Sequence, residues 1–336
     1  MPRLLFVKSR RASFIELDER LLAERYKVFE LYQPGRRPNI PRVIREVFAA
    51  DVIVGWWASW HTFLPFTLAW LIGRPSLLIV GGFDTAADPS FGYGLQLGGV
   101  RAIASRFTMR RARILMTNSE YSRREIQRNI GFPRERIRLV YHGVPDVQPA
   151  LGATVKEASG ASGAKLVLTV GIVDAVNLER KGLRVFAQAA ALMPDLRFVI
   201  AGRIVGDAGA ELQRSATPNL TVSGWVGDDE LLALYAAASV YVQASRHEGF
   251  GVAVAEAMLA RCVPVVSDAG ALPEVVGDTG VILADITAEA VADGVRAGLR
   301  AGTGEEARAR VLERFSVAQR RDGLHALLDE LLRGSR

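Results

Sequence analysis

Cysteine is almost missing from this chain, since Cys262 is the only one among 336 residues. One thiol cannot close an internal disulfide, which excludes the disulfide-stapled scaffolds of small secreted proteins. The opening segment MPRLLFVKSRR holds only four consecutive apolar residues. A secretory leader needs an apolar stretch of roughly 7–15 residues, so we expect none.

Long apolar runs are missing as well. The most apolar region, Val52–Val80, is broken by polar, glycine and proline residues, so it lacks the roughly 20 clean residues of a membrane-spanning helix. The interrupting residues are Ser59, His61, Pro65, Gly73, Arg74 and Pro75. We therefore expect a cytoplasmic protein.

Charge is distributed unevenly between the two halves. Residues 1–150 carry 23 Lys and Arg against 13 Asp and Glu, whereas residues 151–336 carry 19 against 23. Such an excess predicts an anionic partner for the first half. The arginines are concentrated in Arg101–Arg138, where Arg106, Arg110 and Arg113 recur at helical spacing. This pattern favours a basic amphipathic helix lying on an anionic membrane surface, at the inner face of the membrane.

A solvated helix in an arginine-rich protein remains the alternative interpretation of the same segment. Nucleic acid is not expected as a partner, because no helix-turn-helix, zinc-knuckle or RNA-recognition motif accompanies the charge.

Short β-branched runs alternate with helical segments along the chain, in two successive blocks. The predicted strands are Leu4–Val7, Val28–Leu31, Asp51–Trp56, Ser76–Val80, Ile114–Asn118, Ile137–Tyr141, Leu166–Val170, Arg197–Ala201, Thr221–Val222, Val240–Gln243, Val263–Ser267 and Val281–Leu283. Strand–helix alternation predicts parallel sheets with right-handed crossovers. The fold class is therefore α/β, with two doubly wound domains.

The segment Pro145–Ala164 is rich in Gly, Ala, Ser and Pro, which is typical of a linker. We place the two domains at residues 1–150 and 151–310. The remaining tail, 311–336, is charged and helical, and we expect it to pack back on the first domain.

The segment most informative about chemistry is Tyr241–Val276. A predicted strand is followed by a polar loop with Glu248, Gly249 and Gly251, and a helix begins near Val252. The amides at a helix N-terminus suit an anion or sugar hydroxyls. Glu256 lies in the otherwise apolar helix VAVAEAML, where a carboxylate needs a partner. A structural salt bridge and a ligand hydroxyl are both open as that partner.

A dinucleotide-binding fingerprint is a rival interpretation of this strand, Gly-x-Gly and helix, with Asp268 about twenty residues on. That fingerprint needs a third small residue where this chain has Val254, so we reject it.

The motif Glu248-Gly-Phe-Gly-(x4)-Glu256-Ala-Met, followed by Gly270-Ala-Leu-Pro-Glu274, resembles the donor-site signature of the family-four retaining glycosyltransferases of GT-B fold. Val170-Gly171 and Arg180-Lys181-Gly182 resemble the pyrophosphate-binding loop of that family. Gly224-Trp225-Val226 is similar to the stretch beside the nucleotide base. The specific resemblance covers about residues 165–285. It implies two Rossmann-like domains that face each other across a cleft.

The resemblance also implies roles for individual residues. Glu248 would bind a hydroxyl of the donor sugar, Glu256 the ribose hydroxyls, and Arg180 with Lys181 the diphosphate. The implied donor-binding set is Gly171, Arg180, Lys181, Glu248, Gly249, Phe250, Gly251, Glu256, Ala271 and Leu272. The implied catalytic set is Glu248, His61, Arg180 and Lys181, where His61 follows a strand end at which the family commonly places a histidine.

The same resemblance implies a reaction without cofactor or metal, and the chain contains no Asp-x-Asp sequence. Two positions depart from the family. Ile172 stands where an arginine is usual, with Asn177 or Arg203 as candidate replacements. The glycine-rich acceptor loop is replaced by Ser9, Arg10 and Arg11, which suits an acceptor carrying phosphate or carboxylate, although a surface turn is an equal alternative.

The sequence thus predicts a retaining, metal-independent transferase of the hexosyltransferase type. It would move a sugar from a nucleotide sugar to an acceptor hydroxyl on a lipid-linked or membrane-associated glycan. A nucleotide-sugar epimerase or hydrolase of the same fold, and a non-catalytic binding protein, are the competing hypotheses.

Overall fold

The computed structural model describes residues 1–35, 38–147, 163–214 and 217–334. The chain forms two compact units. One comprises Met1–Gly143 together with Val317–Arg336, and the other comprises Val144–Ser316. Most of the predicted linker Pro145–Ala164 lies outside the described residues.

Each unit contains one six-stranded sheet in which every strand pairing is parallel. The first sheet has the order β2-β1-β3-β4-β5-β6 and the second the order β12-β11-β10-β7-β8-β9. The strands are β1 (Arg3–Lys8), β2 (Lys27–Tyr32), β3 (Val52–Trp56), β4 (Ser76–Val80), β5 (Ile114–Thr117), β6 (Ile137–Leu139), β7 (Leu166–Val170), β8 (Arg197–Ala201), β9 (Leu220–Gly224), β10 (Ala238–Gln243), β11 (Val263–Ser267) and β12 (Val281–Leu283).

Helices connect the strands on both faces of each sheet. They are α1 (Ser13–Ala23), α2 (Ile40–Ala49), α3 (Trp60–Leu71), α4 (Gly99–Arg111), α5 (Glu120–Ile130), α6 (Ala175–Arg180), α7 (Leu183–Ala191), α8 (Ala208–Arg214), α9 (Asp228–Ala237), α10 (Val252–Leu259), α11 (Leu272–Val276), α12 (Ala288–Ala301), α13 (Gly304–Arg314) and α14 (Val317–Arg333). Among the described residues, none of these helices has both the length and the apolar character needed to cross a bilayer.

The first unit buries its central strands between two helical layers. Helices α2 to α5 cover one face with side chains such as Val43, Phe66 and Met109. Helices α1 and α14 cover the other face, where Leu22 and Leu324 meet the sheet. The final helix of the chain therefore belongs to the core of the first unit. Parallel strands covered on both sides are expected to be apolar throughout, which explains the continuous runs in the sequence.

The final helix is fixed by a buried ion pair. Arg320 on α14 donates two hydrogen bonds to Asp18 on α1, at 2.9 and 2.6 Å, and both side chains are almost fully buried. Arg320 also donates to the carbonyl of Val140, and Asp18 accepts from the indole of Trp56. The carboxylate and the guanidinium thus satisfy each other and neighbouring polar groups inside the core.

The second unit has the same layered construction. Helices α7 and α12 pack on one face of its sheet through Leu183, Phe186 and Val295, against strand residues such as Val167 and Val240. All twelve predicted strands are present, with boundaries that differ by at most two residues. The prediction of an α/β fold with two doubly wound parallel sheets is confirmed.

Candidate active site

The second sheet reverses its winding direction between β7 and β10. The chain runs outward from β7 through β8 to β9, then returns to β10 on the other side of β7. In open α/β sheets the ligand-binding crevice lies beyond the carboxyl ends of the strands at such a point. The predicted donor residues follow the ends of β7, β10 and β11, so the topology brings three separate sequence motifs to one edge.

Backbone hydrogen bonds tie the three loops together. The amide of Arg246 donates to the carbonyl of Arg180 at 2.8 Å, and the amide of Ala271 donates to the carbonyl of Glu248 at 2.8 Å. The amide of Leu272 donates to Ala269 within its own loop at 3.3 Å. The amide of Ala271 therefore supports the Glu248 loop and that of Leu272 closes its own loop, whereas the resemblance implied that both residues bind the donor.

Gly270 permits the close approach of two of these loops. Its φ of +65° is in the left-handed region, and an added Cβ would lie 2.3 Å from the carbonyl oxygen of Glu248. Any side chain here would push the Glu248 loop away. The glycine in the Gly-Ala-Leu-Pro-Glu motif is thus required by packing against the candidate catalytic residue.

Two cations converge on the carboxylate of Glu248. Its Oε2 lies 3.6 Å from Nζ of Lys181 and 3.8 Å from Nη1 of Arg180. All three side chains are less than one-fifth exposed. Oε2 is buried and accepts no hydrogen bond from the described residues, so the contacts are electrostatic. Lys181 reaches this position across Gly171, where an added Cβ would lie 2.7 Å from its Cδ.

The cluster has more positive than negative charge. Burial alone would raise the pKa of Glu248, but the charges of Lys181 and Arg180 outweigh it and hold that pKa below its ordinary value. Burial lowers the pKa of Lys181 more than the attraction of Glu248 raises it. Both directions are those expected where two buried cations share one anion. The site therefore favours an additional anionic group.

Arg180 is held by neighbours that orient its guanidinium. It donates to the side-chain oxygen of Asn177 at 3.0 and 2.8 Å and to the carbonyl of His247 at 3.2 Å. Asp174 caps α6 and accepts from the amide of Asn177 at 2.7 Å. Asn177, a candidate replacement for the missing arginine at Ile172, thus positions Arg180. The role of Asp174 was missed, although an Asp three residues before Asn at a helix start is a capping signal.

Glu256 lies four residues into α10, which begins after Gly251. The hydroxyl of Tyr235 on α9 donates to its Oε2 at 3.0 Å. Burial raises the pKa of Glu256 to about 7, although the Tyr235 hydrogen bond opposes that shift. The sequence left a salt bridge or a ligand as the partner of this carboxylate, and the structure supplies a neutral hydroxyl instead. A buried carboxylate with one hydroxyl donor can accept further hydrogen bonds from ligand hydroxyls.

The predicted acceptor residues and His61 lie in the first unit. Arg10 stacks on Trp57 with 4.5 Å between guanidinium and ring centre, and Arg11 lies 3.8 Å from Glu30. Both arginines and Ser9 follow the carboxyl end of β1, beside the switch point between β1 and β3. The loop therefore stands where this sheet would receive a ligand.

His61 lies in the first turn of α3, directly after β3, and its ring is 5% exposed. Its Nε2 is 2.7 Å from the carbonyl of Trp56. Burial lowers the pKa of His61 to about 4, so the ring is neutral at physiological pH and donates from Nε2 to that carbonyl. The structure thus presents a fixed, uncharged imidazole rather than a proton carrier.

Comparisons with known proteins identify the family and the fold of this chain. Residues 16–148 match the family model described as Glycosyltransferase Family 4, and residues 164–300 match the one described as Glycosyl transferases group 1. O-antigen chain mannosyltransferase B of Escherichia coli is 30% identical over 54% of this chain and 50% of its own length. GDP-mannose:cellobiosyl-diphosphopolyprenol alpha-mannosyltransferase of Xanthomonas oryzae is 27% identical over 70% of this chain and 60% of its own. The chain thus spans about half to three-fifths of the length of these curated relatives.

Solved structures show that the likeness in fold extends over the whole chain. Anabaena Alr3699/HepE, crystallised with UDP and glucose, has a TM-score of 0.77 at 16% identity, over 98% of this chain and 100% of that one. Sucrose-phosphate synthase from Thermosynechococcus elongatus has a TM-score of 0.79 at 17% identity, over 99% and 100%. These proteins share the GT-B fold with this chain. From the two family models, which together match most of its length, the chain belongs to the family 4, group 1 glycosyltransferases of GT-B fold.

Proposed function

We propose that this protein transfers a hexose from a nucleoside diphosphate sugar to an acceptor hydroxyl, with retention of anomeric configuration and without a metal ion. The observation that carries the proposal is the buried cluster of Arg180, Lys181 and Glu248 at the carboxyl ends of β7 and β10. Two cations with one carboxylate leave a positive charge that a diphosphate would balance.

In the proposed donor complex, Arg180 and Lys181 hold the diphosphate and Glu248 accepts a hydrogen bond from a sugar hydroxyl through Oε2. Glu256 accepts from the ribose hydroxyls. These roles fit the observed groups, because Oε2 of Glu248 accepts no hydrogen bond from the described residues and Glu256 has a raised pKa. Hydroxyl donors would stabilise both carboxylates in their ionised form.

The proposed reaction breaks the bond between the anomeric carbon and the phosphate oxygen, and forms a bond from that carbon to the acceptor oxygen on the same face. The acceptor proton passes to the leaving phosphate. The negative charge that develops there is stabilised by the fixed cations, and loss of one such group typically costs about 2.7–4 kcal/mol of barrier. His61, neutral and fixed, is proposed to contribute a dipole rather than a proton.

We propose a lipid-linked glycan as the acceptor, met at the inner face of the cytoplasmic membrane. The name of the Xanthomonas relative specifies a diphosphopolyprenol acceptor, and the first 150 residues carry an excess of ten positive charges. The exposed loop with Ser9, Arg10 and Arg11 would contact the phosphate of such an acceptor.

The test is product analysis by proton NMR in the presence of EDTA, with UDP-, GDP- and ADP-hexoses and a short-chain polyprenyl diphosphate glycan. The proposal predicts one donor to be consumed and a glycosidic bond of the donor's anomeric configuration. Inversion would refute the retaining mechanism, and loss of activity in EDTA would refute metal independence. Rapid formation of free sugar or of an epimer without acceptor would favour the hydrolase or epimerase alternative.

A further inference from the structure

Helices α3 and α4 expose apolar side chains that no element of the described chain covers. Trp70 and Leu71 at the end of α3 are 52% and 64% exposed. Val100 and Ile103 at the start of α4 are 70% and 68% exposed. Single exposed apolar residues are common, but several on two adjacent helices indicate an interaction surface.

The exposed apolar residues fall on one stripe of each helix, together with the half-buried Phe63, Phe107 and Arg111. In α3 the stripe is Trp60, Phe63, Trp70 and Leu71, and in α4 it is Val100, Ile103, Phe107, Arg110 and Arg111. Both stripes have the spacing i, i+3, i+10 and i+11, which places their members on one side of a helix. We call the two stripes together the α3–α4 outer face.

Direct contacts join the two stripes. The rings of Phe63 and Phe107 are 5.3 Å apart, and the guanidinium of Arg111 lies over the rings of Phe107, at 3.3 Å, and Trp70, at 4.6 Å. The outer face is therefore continuous, with apolar side chains throughout and arginines at the end where both helices terminate.

Helices α3 and α4, which form this face, contain no acidic residue. Between Asp51 and Glu120 the sequence has six arginines and only two carboxylates, Asp84 and Asp88. Asp84 is buried and accepts hydrogen bonds from the amides of Ala58 and Gly81, each at 2.9 Å. Asp88 accepts from the amide of Ser90, so neither carboxylate lies on α3 or α4.

The arginines farther along the predicted basic segment are placed differently. Arg134 forms an ion pair with Glu120, as does Arg123, and Arg138 pairs with Glu330 at 2.6 Å. Arg113 lies beyond the end of α4, where it donates to the carbonyl of Gly334. Arg110 and Arg111 on α4, by contrast, form no ion pair with any described residue, and Arg111 contacts only aromatic rings.

We propose that the α3–α4 outer face docks on an anionic phospholipid bilayer. Its apolar side chains enter the boundary between headgroups and acyl chains, as in interfacial helices, and its arginines contact lipid phosphates. Tryptophan is favoured at that depth. A second copy of the chain is disfavoured as the occupant, because a symmetric contact would face these arginines with the same carboxylate-free surface.

Docking gives the enzyme access to a membrane-embedded acceptor, so its biological purpose rests on the proposed function. The binding itself does not, because it needs neither donor nor acceptor. Vesicle binding and nucleotide binding can therefore fail independently.

The test is cosedimentation of the full-length protein with sucrose-loaded vesicles of phosphatidylcholine, with and without phosphatidylglycerol. Wild type should sediment with the anionic vesicles at low ionic strength and be released by salt. Arg110→Ser with Arg111→Ser should weaken partitioning about fivefold for each charge removed. The pair Arg134→Ser and Arg138→Ser removes the same charge elsewhere and should leave partitioning nearly unchanged.

A second variant tests how much the apolar side chains of the face contribute to vesicle binding. Val100→Ser with Ile103→Ser should weaken partitioning about tenfold or more, because those side chains are exposed in water and buried in lipid. Ile282→Ser with Leu312→Ser, which are exposed apolar positions in the second unit, should have little effect. Nucleotide binding should be unchanged in all four variants.

Absence of wild-type sedimentation with anionic vesicles at low salt would overturn the proposal. Equal losses in the control variants would overturn it as well. A wild-type dimer that Val100→Ser with Ile103→Ser converts to monomer, without vesicle binding, would assign the face to a second copy instead.

Discussion

At the scale of single residues, the proposed donor site is distinguished by charged side chains that have few partners of opposite charge. Arg180 and Lys181 share one carboxylate, and Glu256 has one neutral hydroxyl donor. A ligand group that pairs with such a side chain should contribute strongly to binding, because it supplies a partner that the buried side chain lacks in the free protein.

Lys181→Met should lower turnover about 10²–10³-fold, since it removes a fixed cation from the developing phosphate charge while keeping the length of the side chain. Steady-state kinetics with the accepted donor would measure this. Arg184→Met is the matched control, because Arg184 lies three residues later but pairs with Glu179 and Glu211 on the surface. Equal activities of the two variants would remove Lys181 from the site.

The raised pKa of Glu256 leads us to expect that nucleotide-sugar binding depends on pH. Its pKa in the free protein is about 7, and ribose hydroxyls would favour the ionised form, so binding should release a proton below that pH. Affinity should rise about tenfold per pH unit from about pH 5 to pH 7 and level off above. Calorimetry across this range would measure it. Glu256→Gln should weaken binding and flatten the profile, and an unchanged slope in that variant would contradict the assignment.

The partners of these residues could not be predicted from sequence. Glu256 and Glu248 were identified by their motif and by the apolar surroundings of Glu256. Tyr235 lies 21 positions away on another helix, and Asp18 lies 302 positions from Arg320. Such pairs are set by tertiary packing, which leaves no local periodicity in the sequence.

At the scale of secondary-structure elements, the loop after β11 supports the loop after β10. Gly270→Ala should reduce both stability and turnover, because the added Cβ would displace the backbone of Glu248. Gly302→Ala has nearly the same φ, +63°, but no atom within 4 Å of the added Cβ. It should cost only about 1–2 kcal/mol of conformational strain and leave turnover unchanged. Thermal melts and kinetics of the two variants would separate packing from strain, and similar turnover in both would contradict the role of Gly270.

Helix α14 should be held to the first unit mainly by the buried ion pair and the leucines around it. Arg320→Met would leave the carboxylate of Asp18 buried without its cation, which should lower the free energy of unfolding by about 3–5 kcal/mol. Adding Asp18→Asn should recover part of that loss. The exposed pair of Arg138 with Glu330 on the same helix is the control, and Arg138→Met should cost under about 1 kcal/mol. Urea unfolding would measure all three, and equal costs would contradict the anchoring role of Arg320.

Strands were easier to predict than short helices. Buried parallel strands are continuous β-branched runs bounded by turn residues, and all twelve were found. Helices α6, α8 and α11, with 6, 7 and 5 residues, were missed. A helix of fewer than two full turns does not complete the apolar repeat from which helices are predicted. Asp174 at the start of α6 and Pro273 in the first turn of α11 were the local signals available.

At the scale of the whole molecule, positive charge is concentrated in the first half of the chain and the second half is net negative. The excess of positive charge in the first 150 residues predicted an anionic partner, and the structure shows part of that charge neutralised by Glu120 and Glu330. Helices α3 and α4, which form the outer face, contain no acidic residue to neutralise their arginines. The second unit is net negative in sequence, yet its positive cluster lies where the sheet topology expects a ligand.

The central claim is that the edge formed by β7, β10 and β11 binds a nucleoside diphosphate through Arg180 and Lys181. Isothermal titration of the purified protein with UDP, GDP and ADP, in EDTA, tests it most directly. We predict that one of the three binds without metal, and that Lys181→Met weakens that binding while Arg184→Met does not. If none of the three binds to the folded wild-type protein, or if Lys181→Met binds as wild type does, the donor-site account is contradicted.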